Sequence, residues 1–400
     1  MSLPLRTAKQ PLLDPYDLGD GLTLRNRVVM APMTRARAEN PELAPTELHS
    51  EYYRQRAGAG LIVSEGTWIS AGAIGAVHVP GMYSEEQARA WREVTSAVHA
   101  EGGAIFAQLA HTGAASHPDF HQGRLPVAPS AVNPGGTVFT PNGLTHVVTP
   151  RALSVSQIAE VVEQYRSAAV NAKLAGFDGV ELHAQRGYLI AQFLNPALNL
   201  RTDAYGGTAE GRARFLFEVI DAVVGVWGPH RVGVKFAPHQ VLGESAEASP
   251  EVLAVHEYVA ARLDDHPLAY LHLMMTRQPN VRVTAEQRLE SLGLFRPLYR
   301  GTLIANAGLD QESGNAVIGE GLADLVSFAA LFISNPDLPR RFAHRLPLAD
   351  SDRETFYQGG PRGYTDYPPA ADAVAVPSPT SSTGTTESST GTTEPHGASL

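Results

Sequence analysis

The sequence predicts an α/β fold, a single (β/α)8 barrel with a capping excursion after its third strand and a disordered C-terminal tail. Three observations carry this. Eight short apolar runs recur along the chain, amphipathic stretches separate them, and the composition changes abruptly near the end. The runs are RVVMAP (27–32), GLIVSE (60–65), AIFAQL (104–109), FDGVELH (177–183), RVGVKF (231–236), LAYLHL (268–273), TLIANA (302–307) and ADLVSFA (323–329). Helical patterns between them include SEEQARAWREVTSAVHAEG, SVSQIAEVVEQYRSAAVNAKLAG and TAEGRARFLFEVIDAVVGVWG. The last two open on a Ser or Thr suited to capping and close on Gly. Residues 112–153, rich in Pro, Gly and Asn, are too long for a simple strand-to-helix loop, so a surface excursion or hairpin over the barrel is expected. Residues 369–400 are dominated by Ser, Thr, Pro and Gly and cannot bury enough apolar surface to offset ordering entropy. The barrel is therefore assigned to 1–368 and the tail to 369–400.

Composition narrows the function classes. A hydrophobic content of 43% with 18% charged residues supports a substantial core. A net charge of −10 argues against a nucleic-acid or anionic-membrane partner. There are no cysteines, which excludes disulfides, thiolate metal sites and cysteine nucleophiles. No apolar run is long enough to span a bilayer, and the N-terminal stretch lacks an uninterrupted apolar segment. A cytoplasmic location is expected.

In a (β/α)8 barrel the active site lies at the C-terminal ends of the strands. Those ends carry Ala31-Pro32-Met33-Thr34, Glu65-Gly66-Thr67, Gln108 with His111, and His183 with Arg186 and Tyr188. Lys235, Asn306-Ala307-Gly308 and Phe328-Ala329-Ala330 complete the ring. The histidines lack carboxylate partners at metal-ligand spacing, so no metal is expected, and no Ser-His-Asp order or nucleophile elbow is present. A ring of hydrogen-bond donors with one amide, one cation and a tyrosine suits a planar polar ligand.

At these residues the chain resembles the old yellow enzymes, FMN-dependent ene-reductases. The resemblance covers about residues 10–369 and rests on LRNRVVMAPMTR, YYRQRAGAGLIVSEGT, HAQRGYLIAQFL, NLRTDAYGGTAEGRARFLFEV, FISNPDLPRRF and TFYQGGPRGYTDYP. It implies FMN across the barrel mouth, NAD(P)H as reductant, and hydride addition to an activated C=C bond in specialised metabolism. By motif, Pro32, Thr34, Gly66 and Gln108 match flavin-contacting positions, and Lys235 stands where an arginine usually supports the pyrimidine edge. His183 matches a substrate-carbonyl donor, Tyr188 the proton donor and Tyr357 a tyrosine of the substrate pocket. A small-molecule substrate and a monomer or homodimer are implied. RTDAYGGTAEGRARF reads as a structural polar network.

Several positions depart from the family pattern. Arg186 replaces a second His or Asn donor, and a guanidinium suits an anionic substrate. The family's QLWHxGR reads QLAHTGA, so a Trp has become Ala110 and an Arg Ala114, which points to an opened pocket and a bulky substrate. At the phosphate end, Asn306-Ala307-Gly308 replaces the family's Asn-Gly-Gly and Phe328-Ala329-Ala330 its Phe-Gly-Arg, so a second glycine has become Ala329 and an arginine Ala330. Losing one charge-assisted hydrogen bond costs about 1.5–3 kcal/mol. These changes keep two further readings open. One is a flavin-independent isomerase or cyclase in the same pocket, and the other is a non-catalytic ligand-binding relative.

Overall fold

Eight parallel strands close a barrel in chain order: β1 (Val28–Met30), β2 (Leu61–Trp68), β3 (Ile105–Ala110), β4 (Gly179–Ala184), β5 (Val232–Phe236), β6 (Tyr270–Met274), β7 (Leu303–Asn306) and β8 (Leu325–Phe328), which pairs back to β1. This is a computed structural model, and it describes residues 9–185, 187–238, 249–275 and 284–370. Each strand coincides with one of the eight apolar runs, give or take its ends. The runs were continuous rather than alternating because both strand faces are covered: every residue of β3, β4 and β5 is buried. From residue 371 on, the expected tail lies outside the described residues.

The barrel interior has an apolar floor. Val29, Leu61, Val63, Phe106, Tyr270, Ile304 and Leu325 form one buried cluster, joined by Leu18 and Leu24 of a short N-terminal β-ribbon. Two glycines make room for its largest rings. A Cβ on Gly179 would fall into the Phe106 ring, and one on Gly233 into the Tyr270 ring. The floor leaves the opposite, C-terminal end of the barrel for polar side chains.

Outside the strands pack α1 (Glu47–Gln55), α2 (Glu85–Ala100), α3 (Val155–Leu174), α4 (Leu189–Leu194), α5 (Ala209–Trp227), α6 (Pro250–Leu263), α7 (Ala285–Phe295), α8 (Gln311–Gly319), α9 (Ala330–Ser334) and α10 (Leu338–His344). The caps read from the sequence are present. The Ser154 side chain accepts from the Gln157 N–H and the Thr208 side chain from the Gly211 N–H. Gly228 follows α5 with φ of 81°, a backbone state that glycine adopts without strain.

The excursion contains the expected hairpin, Thr137–Thr140 paired with Gly143–His146, and a short pairing of Val127–Ala128 with Arg151–Ala152. It is fastened beside the barrel mouth by Arg201, whose Nη1 donates to the Pro129 and Leu153 carbonyls while its other nitrogens grip Asp203. Arg212 and Arg214 donate to the carbonyls of Gly207 and Ala204, so this segment is the structural network its motif suggested. A second fastening holds residues 353–367. The Arg35 Nε and Arg37 Nη1 donate to the Phe356 carbonyl, and Tyr364 stacks on Tyr52 at 3.9 Å. No helix among the described residues is long and apolar enough to cross a membrane.

Candidate active site at the barrel mouth

Strand register brings the singled-out residues together. Gln108 on β3 lies beside Glu181 on β4, His183 beside Lys235 on β5, Lys235 beside His272 on β6, and Asn306 on β7 beside Ser327 on β8. Above the apolar floor these side chains form a hydrogen-bonded chain across the barrel. The Gln108 Nε2 donates to Glu181 Oε1 at 2.7 Å, and His272 Nδ1 lies 2.7 Å from Glu181 Oε2. His272 Nε2 lies 2.7 Å from Ser327 Oγ, which accepts from Asn306 Nδ2 at 2.7 Å. With the Ser327 hydroxyl accepting from Asn306, its proton goes to His272 Nε2, and His272 Nδ1–H donates to the carboxylate.

The charge states follow from burial and neighbours. Burial opposes ionisation of Glu181, but His272, Lys235 and the Gln108 hydrogen bond outweigh it and hold the carboxyl below its usual range. Burial, then Lys235, pushes His272 down to about 4 against the pull of Glu181. His272 is therefore neutral at pH 7, and Glu181 and Lys235 are the charged pair of the barrel interior. Glu181, His272 and Ser327 were not singled out from the sequence. The signal available was parity: Glu181 stands two residues before His183, on the same strand face.

At the mouth, the His183 and Tyr188 rings stack at 4.4 Å and 22°. His183 is the penultimate residue of β4 and is 5% exposed, whereas Tyr188 is half-buried and precedes α4. The turn between them is pinned by two backbone bonds: the Tyr188 N–H donates to the Gln185 carbonyl and the Leu189 N–H to that of His111. Arg186 lies outside the described residues. Trp68, at the end of β2, places its ring 6.4 Å from Tyr188. It was not anticipated either, and it corrects one expectation. Ala110 and Ala114 are 0% and 2% exposed, so no opening exists at those positions. Trp68 is in register with Ala110, and its bulk covers that wall from the neighbouring strand.

The loop after β1 carries Pro32 and Thr34, both half-buried, and is held by Glu65, midway along β2. The Arg35 N–H donates to Glu65 Oε2 at 3.3 Å. Gly66 lies beside Gln108, and a Cβ there would come 3.2 Å from Gln108 Oε1, so a side chain would press on the amide. Tyr357 is 64% exposed, on the segment fastened by Arg35 and Arg37. At the other side of the mouth, Ala307 has φ of 84° and Gly308 φ of 69°. A non-glycine residue in this region is strained. Ala330 is exposed and brings no side-chain donor, but the Arg288 Nη1 donates to the Gly308 carbonyl at 2.7 Å, setting a cation beside that turn. Arg288 too was missed, because helix α7 reaches this turn only in the fold.

Buried titrating groups set a pH dependence. Burial, aided by Arg37 and His121 respectively, pushes His49 down to about 4 and His111 down to about 3. With His272 these three histidines fold neutral, so their contribution is fully present above about 6.5 and is lost as pH falls through about 4. Glu65 has the opposite sign. Burial raises it to about 7 despite the Arg35 and Ala36 N–H groups, so its contribution is present below about 4.5 and is lost as pH rises through about 7. Thermal unfolding is expected to show Tm rising from pH 4 to pH 6, three groups against one. Glu65→Gln is expected to raise Tm at pH 8 with little change at pH 4, and an equal shift at both would contradict the assignment.

Comparison with known proteins places this geometry. The profile described as NADH:flavin oxidoreductase / NADH oxidase family matches residues 11–349. Among curated relatives, putative 12-oxophytodienoate reductase 3 of Oryza sativa subsp. japonica is 42% identical over 365 residues, 90% of this chain and 92% of the relative. The 12-oxophytodienoate reductase 1 of the same organism is 41% identical, over 90% and 93%. Among solved structures, morphinone reductase superposes with a TM-score of 0.84 at 42% identity, covering 91% of this chain and 98% of that one. It has also been solved in complex with tetrahydroNAD. The old yellow enzyme homologue from Zymomonas mobilis gives 0.82 at 39% identity, over 89% and 99%.

Proposed function

Because the chain belongs to the NADH:flavin oxidoreductase / NADH oxidase family, whose members use FMN and NAD(P)H, we propose that it reduces an activated C=C bond at the mouth of its barrel. The observation that carries this reading is the His183–Tyr188 pair, a buried imidazole and a half-buried phenol stacked at 4.4 Å beside the strand that bears Lys235.

The residues present fit FMN at its ring end. Gln108 keeps one amide N–H beyond the one given to Glu181, together with its carbonyl oxygen, and Lys235 adds a cation. Bare Gly66, and Thr34 on the loop held by Glu65, complete the positions that would hold the ring. Asn306, Ala307 and Gly308 would take the phosphate end, with Pro32 on the other flank. The fit there is weaker, since Ala307 brings a methyl and backbone strain and Ala330 no charge. Arg288 stands in for part of the missing cation.

When bound and reduced by NAD(P)H, FMN supplies a hydride to the β-carbon of the alkene. The protein's own contribution is electrostatic and acid–base. His183 orients the substrate by donating to the carbonyl oxygen that gains negative charge. Tyr188 holds a phenolic proton for the α-carbon, and burial around the pair keeps competing water away. Tyr357, on the exposed segment, would meet substrate at the rim, and Arg186 would favour an anionic one. We place the enzyme in specialised metabolism acting on a small molecule.

The test is oxidation of NADPH and NADH by the FMN-loaded protein with 2-cyclohexenone and a carboxylate-bearing enone as probes. Alkene-dependent oxidation yielding the saturated ketone is expected. Oxidation unaffected by every activated alkene would overturn the reading. The phosphate end favours one alternative, an isomerase or cyclase that uses His183 and Tyr188 without flavin. Turnover of an enolisable substrate by flavin-free protein would establish it.

A further inference from the structure

The proposed reaction uses Gln108 and Lys235 but gives no task to the group that joins them. Glu181 is fully buried, and it reaches neither the mouth nor solvent. One carboxylate oxygen takes the Gln108 amide and the other the His272 imidazole, both at 2.7 Å. Its charge is felt by Lys235 on the adjacent strand, and Lys235 in turn helps to hold both Glu181 and His272 below their ordinary ranges. A buried carboxylate needs such compensation, since an unpaired charge in the barrel would be costly. Beneath it Ile304, Leu325 and Phe106 are apolar, and the one polar group of the floor facing Glu181 is the buried, neutral Tyr270 hydroxyl, whose ionisation burial and then the Glu181 charge oppose.

We infer that Glu181 is a positioning residue with two effects on the bound flavin: it sets the reduction potential by offsetting the Lys235 charge near the ring, and it firms the hold on the ring by locking the Gln108 amide. The inference rests on the proposed reading of Gln108 and Lys235 as ring-contacting residues. Its physical basis is the sign of the charges. Two electrons and one proton leave the reduced ring one unit more negative than the oxidised ring. A nearby cation favours that change and a nearby anion opposes it. Removing the Glu181 charge strengthens the Lys235 field at the ring and favours reduction, and removing Lys235 does the reverse. Because one shared field links them, removing both largely cancels. The Gln108 lock is separable: it affects how firmly the ring is held in both redox states alike, through an amide whose orientation is fixed by its bond to Glu181.

The experiment measures two quantities on the full-length FMN-loaded protein. These are the midpoint potential, by anaerobic dithionite titration against a reference dye, and the FMN dissociation constant, by flavin fluorescence. Glu181→Gln, which keeps an acceptor and nearly the same shape, is expected to raise the reduced-to-oxidised ratio at a given potential at least tenfold, about 30 mV. Lys235→Met is expected to lower the potential, and the double variant to return near the parent value. Glu181→Asp, which keeps the charge but shortens the reach to Gln108, is expected to weaken FMN binding while leaving the potential near the parent. A purely structural role would loosen FMN without a sign-dependent potential and without cancellation in the double variant. A Glu181→Gln potential equal to the parent, or one shifted in the same direction as Lys235→Met, overturns the inference while the proposed function stands. Should Glu181→Gln not fold, Lys235→Met decides, because an unchanged potential there also overturns the inference. Parent protein that takes up no FMN overturns both.

Discussion

Tyr188→Phe is expected to lower the rate of alkene reduction by about 10²–10⁴-fold while leaving reduction of the flavin by NAD(P)H nearly unchanged. The split follows from geometry. Tyr188 stacks on His183 at 4.4 Å, so phenylalanine keeps the ring contact and the packing against Trp68 but removes the phenolic proton that the proposed mechanism delivers to substrate carbon. Stability should change little, because Tyr188 is only half-buried and its backbone, not its hydroxyl, caps α4. Rapid mixing separates the two half-reactions: NAD(P)H bleaches the flavin at the parental rate, and alkene restores its colour slowly. Equal loss in both halves would show that Tyr188 shapes the pocket rather than supplying a proton. His183→Ala, by contrast, removes the group proposed to donate to the substrate oxygen and should raise KM as well as lower kcat.

Ala330→Arg combined with Ala307→Gly is expected to tighten FMN binding about 10- to 100-fold, the value of one charge-assisted hydrogen bond plus relief of backbone strain. The structure distinguishes the two alanines that replace family glycines. Ala307 sits at φ of 84°, where a Cβ is strained, and glycine there is also expected to stabilise the fold by about 1 kcal/mol. Ala329 has φ of −100°, which any residue adopts, so Ala329→Gly should gain nothing on that account. Arg288→Ala should move affinity the other way, since its guanidinium is the cation placed beside Gly308. Fluorescence titration of FMN into flavin-free protein measures all four. No gain from Ala330→Arg would mean that this flank does not meet the phosphate.

The barrel was legible because its signal is local. Strands covered on both faces read as unbroken apolar runs, and Ser154 and Thr208 marked helix starts that need only neighbouring residues. His183 and Tyr188 were legible for a related reason, since one short motif carries both. The polar chain beneath them was not. Gln108, Glu181, His272 and Ser327 lie on four strands far apart in sequence, and only strand register reveals that they meet. The same reason hid Trp68. The Trp-to-Ala change at Ala110 suggested empty space, but the register of β2 against β3 shifts between Val63 and Gly66, and that shift sets Trp68 beside Ala110. The strain at Ala307 is a property of φ, which a sequence motif only hints at by usually placing glycine there.

The most direct test of the central claim is the visible absorption spectrum of the purified protein titrated with FMN, then with NAD(P)H and an activated alkene under anaerobic conditions. One equivalent of FMN should bind with a shifted flavin band, NAD(P)H should bleach that band, and the alkene should restore it with formation of the saturated product. A protein that stays colourless at saturating FMN, or a bound flavin whose colour no alkene restores, would contradict the assignment.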